Sequence, residues 1–368
     1  MNFDLTEDEE MLKALAERFV EDHYDIDRRR AYAATDEGFS RANWALLGEL
    51  GLIAAPFAPE HGGLGLDATA IATVFEALGR GLTVEPLIDN VLVAARLFAQ
   101  GADDALREAW LPELLAGTRR VALAHAEPGS RDGRLWVETR AQGSGAEVRL
   151  TGTKSCVVAG AGVDGFVVSA RSAGAAGDAE GLELHFVEAG AAGVTATPWR
   201  MADGSVAVRL ELAAAPATAL GGGHAALVAI ETLASLARSA EALGIMQRLF
   251  DDTLDYLRTR KQFGVTLGSF QAIQHRMATQ YGVIEQARAL LNLAMVSDGT
   301  DGFAKAVAGA RAYIAPASVT LGHEMIQFHG GMGVTDELTI GHGHKRLLVL
   351  SRWPDSPLAA LDRFADAA

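Results

Sequence analysis

The chain has 368 residues, 49% hydrophobic and 21% charged, so it can bury a large core and is expected to form two or three domains. Its formal net charge of -15 argues against a nucleic-acid partner, because such binding depends on lysine and arginine neutralising phosphates. The single cysteine, Cys156, excludes an internal disulfide and a cysteine-rich metal site, which favours a reducing cytoplasm.

The beginning of the chain favours a cytoplasmic, unprocessed protein without membrane insertion. Met1-Asn2-Phe3-Asp4 is not a basic region followed by an apolar run, and no stretch approaches roughly eighteen uninterrupted apolar residues. Thr6-Glu7-Asp8-Glu9 is typical of a helix capping box. The residues that follow it at helical spacing are Met11, Leu12, Leu15 and Phe19.

Helical periodicity continues to residue 118 and predicts an N-terminal helical domain over residues 1–118. Within it, the composition of Gly62-Gly63-Leu64-Gly65 is that of a phosphate loop, but no strand is predicted before it. Pro59 and Gly62 instead indicate a turn between two helices.

A middle β domain is predicted over residues 119–220. Short alternating runs such as Val148-Arg149-Leu150 and residues 206–212 are separated by Gly, Ser and Asp turns. The alanine-rich residues 212–218 are predicted to form a loop. Gly221-Gly222-Gly223 then provides a flexible joint.

A C-terminal helical domain is predicted over residues 221–368. One helical stripe consists of Leu236, Ala240, Leu243, Phe250, Leu254 and Leu257. The next helix begins with Phe270, Ile273, Met277 and Ile284.

Two short runs in this last domain are the most informative part of the sequence. The first is Arg260-Lys261-Gln262-Phe263-Gly264, followed by Phe270-Gln271, and the second is Gln327-Phe328-His329-Gly330-Gly331-Met332-Gly333. Each alone is typical of a helix end and turn. Together they suit a dinucleotide diphosphate, because arginine supplies a charged planar fork and glycine lets backbone N–H groups approach closely. Neither run is the strand-turn-helix GxGxxG of a Rossmann fold.

These runs resemble the C-terminal signatures of acyl-CoA dehydrogenases. The resemblance extends over nearly the whole chain, through Glu60-His61-Gly62-Gly63-Leu64-Gly65, Ala126-Glu127-Pro128-Gly129 and Leu150-Thr151-Gly152-Thr153-Lys154. It implies a mostly α fold with a central β domain: an N-terminal helical domain, a small β-barrel or sandwich domain and a C-terminal four-helix bundle. It also implies FAD-dependent oxidation of an acyl-CoA thioester to trans-2-enoyl-CoA.

The resemblance assigns cofactor contacts to the two runs. In homotetrameric members, a subunit holds the diphosphate and adenosine of its neighbour's FAD with residues of these motifs. Arg260 would pair with the diphosphate. The remaining predicted cofactor-binding residues are Gln262, Phe263, Phe270, Gln271, Gln327, His329, Gly330 and Gly331, the last three through their backbone.

The expected catalytic base is missing from both family positions, so no catalytic residue is predicted. Pro354 and Asp355 stand where a Glu-Gly pair is expected, and Ala234 stands at the alternative position, followed by Ser235 instead of arginine. Glu231 lies one turn from Ala234 and is a candidate displaced base. A solvated or capping role near a helix start is the favoured interpretation of Glu231.

The residues expected to face the flavin ring are also missing. Cys156 and Val158 stand where the family has Trp and Thr, and Ala126 replaces the Thr of Thr-Glu-Pro. The family's Gly-Ser after that sequence is disturbed by Ser130-Arg131-Asp132. Cys156 lies in an apolar strand, which favours a packed cysteine over a redox thiol.

The sequence is most similar to the small, partner-type subunits of two-component acyl-CoA dehydrogenases, such as the pimeloyl-CoA dehydrogenase small subunit. Residues 335–338 and 341–347 carry that closer resemblance. It implies a subunit that works with a catalytically complete large subunit in an α2β2 assembly. Steroid side chains, dicarboxylates and branched acids all remain open as the acyl group.

Two alternatives remain at this stage. One is a self-sufficient homo-oligomeric dehydrogenase with Glu231 or Asp355 as a displaced base, and the other is a non-enzymatic scaffold that binds no FAD. A metal site at His342 and His344 is not predicted, because no third ligand appears in a recognisable motif.

Overall fold

The structure is a computed structural model that describes residues 5–143 and 145–366. Its first helix begins with the predicted capping box: the Glu9 N–H donates to Thr6 Oγ1 at 3.3 Å, and the Thr6 N–H donates to Glu9 Oε2 at 2.6 Å. These reciprocal bonds satisfy N–H groups that a helix start leaves without partners. The expectation for Met1-Asn2-Phe3-Asp4 lies outside the described residues.

Helices dominate the described part of the chain, as predicted. They are α1 (Glu7–His23), α2 (Ile26–Ala34), α3 (Arg41–Glu49), α4 (Ala68–Arg80), α5 (Arg96–Gly101), α6 (Asp104–Leu115), α7 (Gly223–Thr259), α8 (Gln271–Val296), α9 (Phe303–His329), α10 (Thr339–Arg352) and α11 (Pro357–Asp366). A π-helical stretch, Leu87–Ala95, precedes α5. The predicted turn between α3 and α4 is confirmed, since Pro59–His61 forms a 3-10 turn and Gly62 has φ +87°.

The strands form one eight-stranded sheet and one separate hairpin. The sheet contains β1 (Val121–Ala124), β2 (Arg140–Gln142), β3 (Arg149–Val158), β4 (Gly165–Arg171), β5 (Leu182–Glu188), β6 (Val194–Arg200), β7 (Val206–Pro216) and β8 (Thr218–Leu220). Its order is β6-β7-β3-β2-β4-β5-β8, with β1 parallel to β4. The hairpin is β9 (Lys261–Gln262) with β10 (Val265–Thr266).

The loop predicted at residues 212–218 is wrong. β7 continues along β3 to Pro216, past the end of its pairing with β6 at Leu212, and β8 begins at Thr218. Ala215 is fully buried and faces Leu150 across the strand pair. Alanine has a weak β propensity, but pairing with β3 and burial of Ala215 override it.

Two compact units divide the described chain. The first unit comprises residues 5–31, 67–83 and 235–366, and the second comprises residues 32–66 and 84–234. In the first unit, α9 packs against α8, α10 and α11. Gly79 of α4 and Gly244 of α7 permit close helix contact, because a Cβ on Gly244 would lie 2.1 Å from the Glu76 carbonyl oxygen.

The second unit is built around the sheet. Its apolar cluster draws on β1, β3, β4 and β7, with Val157, Phe166 and Leu210 at its centre. The Arg120 guanidinium lies over the Phe39 ring at 4.6 Å and donates to Asn90 Oδ1 at 3.1 Å. Arg120 thereby connects three segments of this unit.

Among the helices of the described residues, none has both the length and the apolar character that a membrane span requires.

Candidate cofactor-binding site

The first predicted run forms a tight hairpin directly after α7. The Arg260 N–H donates to the Tyr256 carbonyl at 2.8 Å, and the Leu267 N–H donates to the Arg260 carbonyl at 2.9 Å. Gln262 pairs with Val265, so Phe263 and Gly264 make a two-residue turn. Both have positive φ, +55° and +82°, as such hairpin turns require.

The tip of this hairpin is cationic, aromatic and exposed. Phe263 is 91% exposed and contacts the Phe270 ring edge-on at a centroid distance of 6.3 Å. The side chains of Arg260 and Lys261 are exposed, and neither has a hydrogen-bond or ion-pair partner among residues 5–143 and 145–366. Such a tip is available to a group that lies outside this chain.

The second predicted run forms a bare turn at the end of α9. Gly330 has φ +58°, and its N–H donates to the Gln327 carbonyl. A Cβ added to Gly330 or Gly331 would meet no described atom within 4 Å. The backbone of both glycines is therefore open to an approaching ligand, and the Gln327 side chain beside them is exposed.

The two runs meet at the ends of α7 and α9. The Tyr256 ring stacks on the His329 ring, with centroids 4.3 Å apart and planes 23° apart. From α8, the Arg276 guanidinium lies 4.7 Å from the Phe328 ring centroid. Phe270 precedes α8 and Gln271 is its exposed first residue. The sequence did not single out Tyr256, although its place one turn before Arg260 was a usable signal.

A cavity of about 310 Å³ lies beside the hairpin, and none of the nine predicted cofactor residues lines it. Its walls come from the end of α7, the hairpin region and the start of α8. They are Leu254, Leu257, Arg258, Thr266, Gly268, Ser269, Ile273, Gln274 and Met277. The predicted residues thus lie outside this cavity.

The donor set of this surface fits a diphosphate. The Arg260 guanidinium and the Lys261 ammonium, both without partners in the described part of the chain, lie in the first unit with two uncovered glycines, Gly330 and Gly331. The Tyr256–His329 contact links the helix ends from which the two runs continue. Phosphate oxygens favour charged forks and close backbone N–H groups. The residues present therefore fit the ADP portion of a dinucleotide such as FAD.

A second region corresponds to the flavin-ring side of the resemblance, and we call residues 126–134 with Cys156 and Val158 the flavin-ring region. Its central carboxylate, Glu127, is buried and internally bonded. Lys154 Nζ donates to Glu127 Oε1 at 2.6 Å, and Thr139 Oγ1 donates to the same oxygen at 2.6 Å. The Glu138 N–H donates to the other oxygen at 2.6 Å.

Burial shifts the pKa values of Lys154 and Glu127 in opposite directions. Burial lowers the pKa of Lys154 to about 8, despite the opposing effect of Glu127. Burial raises the pKa of Glu127, but the charge and hydrogen bond of Lys154, together with the hydrogen bonds from Thr139 and the Glu138 N–H, outweigh it and hold that pKa below its usual value. This carboxylate is committed to the fold and is not available to a ligand.

Cys156 and Val158 give the region no ring-binding donor. Cys156 forms an isolated bridge with Ala126, and the Ser155 N–H donates to the Ala126 carbonyl at 2.8 Å. Burial raises the pKa of the half-buried Cys156 thiol to about 12, so the reactive thiolate is disfavoured. Val158 is buried and carries no hydroxyl.

The two family positions for a base carry no available carboxylate. Ala234 lies fully buried in α7, and Ser235 follows it. Asp355 is buried with a guanidinium at each oxygen: Arg311 Nε lies 3.0 Å from Oδ1, and Arg363 Nη2 lies 2.6 Å from Oδ2. Both oxygens of Asp355 are thus occupied by ion pairs, so it is not a free carboxylate.

The solvated or capping role predicted for Glu231 is wrong. α7 begins at Gly223, so Glu231 lies two turns inside the helix, and only 6% of the residue is exposed. One carboxylate oxygen lies 3.8 Å from Arg134 Nη2. The sequence placed the helix start too late, because the glycine run that was interpreted as a joint includes the first residue of α7.

The histidines considered for a metal have other neighbours. His342 Nδ1 lies 3.0 Å from Arg29 Nη1, and its Nε2 lies 3.1 Å from the Asp336 carbonyl oxygen. The His344 ring packs against His323 at 4.5 Å. Within the part of the chain that the structure describes, no group of three His, Cys, Asp or Glu side chains could hold a metal ion.

Comparisons with known proteins identify the family. The N-terminal domain of acyl-CoA dehydrogenases matches residues 6–118, and their C-terminal domain matches residues 226–353. The chain therefore belongs to the acyl-CoA dehydrogenase family, whose members are FAD-dependent flavoproteins. This confirms the predicted family, the predicted fold class and FAD as the family's cofactor.

Several relatives are similar along nearly their whole length. Acyl-CoA dehydrogenase FadE27 of Mycobacterium tuberculosis is 29% identical over 346 residues, which cover 91% of this chain and 90% of that protein. The ChsE4-ChsE5 complex from Mycobacterium tuberculosis contains a chain 28% identical, with a TM-score of 0.89 and coverage of 100% and 98%. A variant of the Tcur3481-Tcur3483 steroid ACAD contains one 29% identical, with a TM-score of 0.87 and coverage of 98% and 97%.

Proposed function

We propose that this chain is the partner-type small subunit of a two-component, FAD-dependent acyl-CoA dehydrogenase. In an α2β2 assembly with a catalytically complete large subunit, it supplies the ADP-binding half of the cofactor site. The assembly oxidises an acyl-CoA to the 2-enoyl-CoA. The chain comprises an N-terminal helical domain over residues 1–118, a β domain over residues 119–220 and a C-terminal helical domain over residues 221–368, and the assembly is located in the cytoplasm.

One contrast carries this proposal. The surface that suits a diphosphate is exposed and has cations without partners among the described residues, whereas both base positions lack a free carboxylate: one is Ala234 and the other is the doubly paired Asp355. A chain that can hold part of a dinucleotide but cannot abstract a proton suits a half-site. Two of the similar solved structures are also described by two protein names each, ChsE4-ChsE5 and Tcur3481-Tcur3483.

Each cofactor residue then has a physical task. Arg260 pairs with the diphosphate as a bidentate donor, and the backbone of His329, Gly330 and Gly331 approaches the ADP portion. Phe263 and Phe270 offer flat apolar surfaces, and the amides of Gln262, Gln271 and Gln327 offer hydrogen bonds. When bound, FAD supplies the hydride acceptor for desaturation.

FAD stoichiometry tests the proposal. The chain is purified alone and co-expressed with a full-length relative encoded beside it, and FAD and mass are measured by absorbance and light scattering. We expect one FAD per heterodimer and none on the isolated chain. One FAD per chain in a homo-oligomer would contradict the heteromer, and no FAD in either sample would favour the scaffold alternative.

A self-sufficient dehydrogenase with Glu231 as base is the second candidate. The observation that favours it is the place of Glu231, a buried carboxylate one turn before Ala234 in α7. The Arg134 guanidinium 3.8 Å away opposes it, because an ion pair occupies the carboxylate that a base must keep free. Acyl-CoA oxidation by the purified chain alone would support this candidate.

A further inference from the structure

Tyr256 touches both halves of the candidate cofactor surface. Its carbonyl accepts the Arg260 N–H at 2.8 Å, and its ring stacks on His329, the residue before Gly330. We propose that Tyr256 is a positioning residue, which holds the Arg260 hairpin and the Gly330-Gly331 turn at the separation that one diphosphate needs. This inference rests on the proposed function.

The stack is anchored on both sides. His329 is only 7% exposed, and its Nδ1 lies 2.9 Å from the Met325 carbonyl oxygen, so that Nδ1 carries the proton that is donated. Burial lowers the pKa of His329, which keeps the ring neutral. Tyr256 is half-buried within the last turns of α7. The contact therefore joins two helix ends through rings that have little freedom to move.

The hairpin is short, and the glycines of both turns carry no side chain that could pack. β9 and β10 have two residues each, and isolated two-stranded hairpins are marginally stable. No described atom lies within 4 Å of a Cβ built on Gly264, Gly330 or Gly331, so these turns lack side-chain packing at those positions. A ligand site gains affinity when its donors are held in place before binding. The Tyr256–His329 stack provides that support.

The phenol hydroxyl is not part of this role. Tyr256 has no side-chain hydrogen bond within residues 5–143 and 145–366, and the ring alone makes the stack. Phenylalanine at this position should therefore preserve the stack with His329. Leucine should lose it, because leucine keeps apolar bulk and helix propensity but has no flat ring.

The test compares Tyr256→Phe with Tyr256→Leu in the assembly that the chain forms with its co-expressed partner or with itself. FAD is titrated into the cofactor-free assembly, and its Kd is measured by flavin fluorescence. We expect Y256F to bind within about threefold of wild type and Y256L to bind about tenfold more weakly, the upper range for an aromatic pair. Tyr281→Leu, at an exposed tyrosine of α8, is the matched control and should leave Kd unchanged.

A second set of measurements distinguishes the positioning role of Tyr256 from a general contribution to stability. The thermal midpoint of the cofactor-free assembly should be similar for Y256F and Y256L, and a Y256L/His329→Leu double variant should weaken FAD no further than Y256L alone. Wild-type Kd in Y256L, or equal losses in Y256F and Y256L, would overturn the inference while wild type still binds FAD. If the wild-type assembly binds no FAD, the proposed function fails with it.

Discussion

The polar groups of the flavin-ring region are paired, whereas those of the proposed ADP-binding surface, the Arg260 hairpin with the Gly330-Gly331 turn, are exposed. In the flavin-ring region, the Glu127 carboxylate is buried and bonded to Lys154, Thr139 and a backbone N–H. On the ADP-binding surface, Arg260 and Lys261 are exposed and have no partner among the described residues. The first arrangement stabilises the fold, and the second leaves binding capacity for a group outside the chain.

This difference separates two kinds of polar residue that a motif alone does not distinguish. Glu127 and Arg260 both belong to stretches that resemble the family's FAD motifs. A buried group needs its partners to offset the cost of desolvation, so losing one partner destabilises the protein. An exposed, unpaired cation contributes almost nothing to stability, so its loss should affect only binding. Substitutions on the two sides should therefore have different readouts.

The largest effect is expected from Lys154→Met, at the ion-pair partner of Glu127. Removing the ammonium leaves Glu127 as a buried carboxylate without its cation, which costs about 3–5 kcal/mol of unfolding free energy. Urea unfolding followed by circular dichroism measures the loss. The double variant Glu127→Gln/K154M should recover part of it, and Lys345→Met, at a half-exposed lysine, should change stability by less than about 1 kcal/mol. A loss of less than about 1 kcal/mol for K154M would contradict the claim that the Glu127–Lys154 pair is needed for stability.

Arg260→Gln should produce the next largest effect, and on binding alone. Loss of charge-assisted hydrogen bonds to a diphosphate costs about 1.5–3 kcal/mol, which corresponds to roughly 10- to 150-fold in Kd. FAD titration of the assembly measures it, and urea unfolding should detect a change of no more than about 0.5 kcal/mol. Arg352→Gln, at an exposed arginine that ends α10, is the matched control. Equal FAD affinity for R260Q and wild type would contradict the assignment of the diphosphate to this surface.

A smaller effect should follow from pH through His125 in the β domain. Its Nδ1 lies 2.8 Å from Ser169 Oγ and its Nε2 lies 2.9 Å from the Arg134 carbonyl oxygen. Burial, with the charge of Lys154, lowers the pKa of His125 from 6.5 to about 3. The unfolded chain therefore binds the proton first as the pH falls, so the stabilising contribution is complete above pH 6.5 and is lost towards pH 3.

Between pH 7 and pH 5 this histidine should account for about 2 kcal/mol of lost stability. Urea unfolding of wild type and His125→Gln at both pH values isolates its share, because the other titrating groups are common to both proteins. The variant should lose correspondingly less stability over that interval. Parallel losses in the two proteins would show that His125 is not a source of the acid sensitivity.

The sequence predicted most elements because their signals are local. The capping box at Thr6 and Glu9 lies within four residues, and the turn at Gly62 depends on its own positive φ. The family motifs likewise singled out both runs of the candidate cofactor surface, whose contacts with FAD stay a prediction. The alanine-rich end of β7 was missed because its strand character comes from pairing with β3, which is distant in sequence.

The missed features of the site depend on contacts between distant segments. The neighbours of Asp355, Arg311 and Arg363, lie on two different helices, so spacing along the chain does not reveal the pairs. The Tyr256–His329 stack joins residues that are 73 positions apart in the sequence. Glu231 was misinterpreted for a related reason. Its environment depends on where α7 begins and on the distant Arg134, and the sequence around Glu231 indicates neither.

The smallest expected effect is that of Glu231→Gln on turnover. In a half-site subunit Glu231 touches no reacting group, so kcat of the assembly with its partner should stay within about twofold of wild type. Glutamine keeps the shape of the side chain, and the loss of one charge beside Arg134 should appear mainly in stability. Loss of a working base would instead cost roughly 100- to 10,000-fold in kcat. A loss of that size, with FAD retained, would contradict the half-site role, because it would make Glu231 a catalytic base and would place cofactor binding and proton transfer in the same chain.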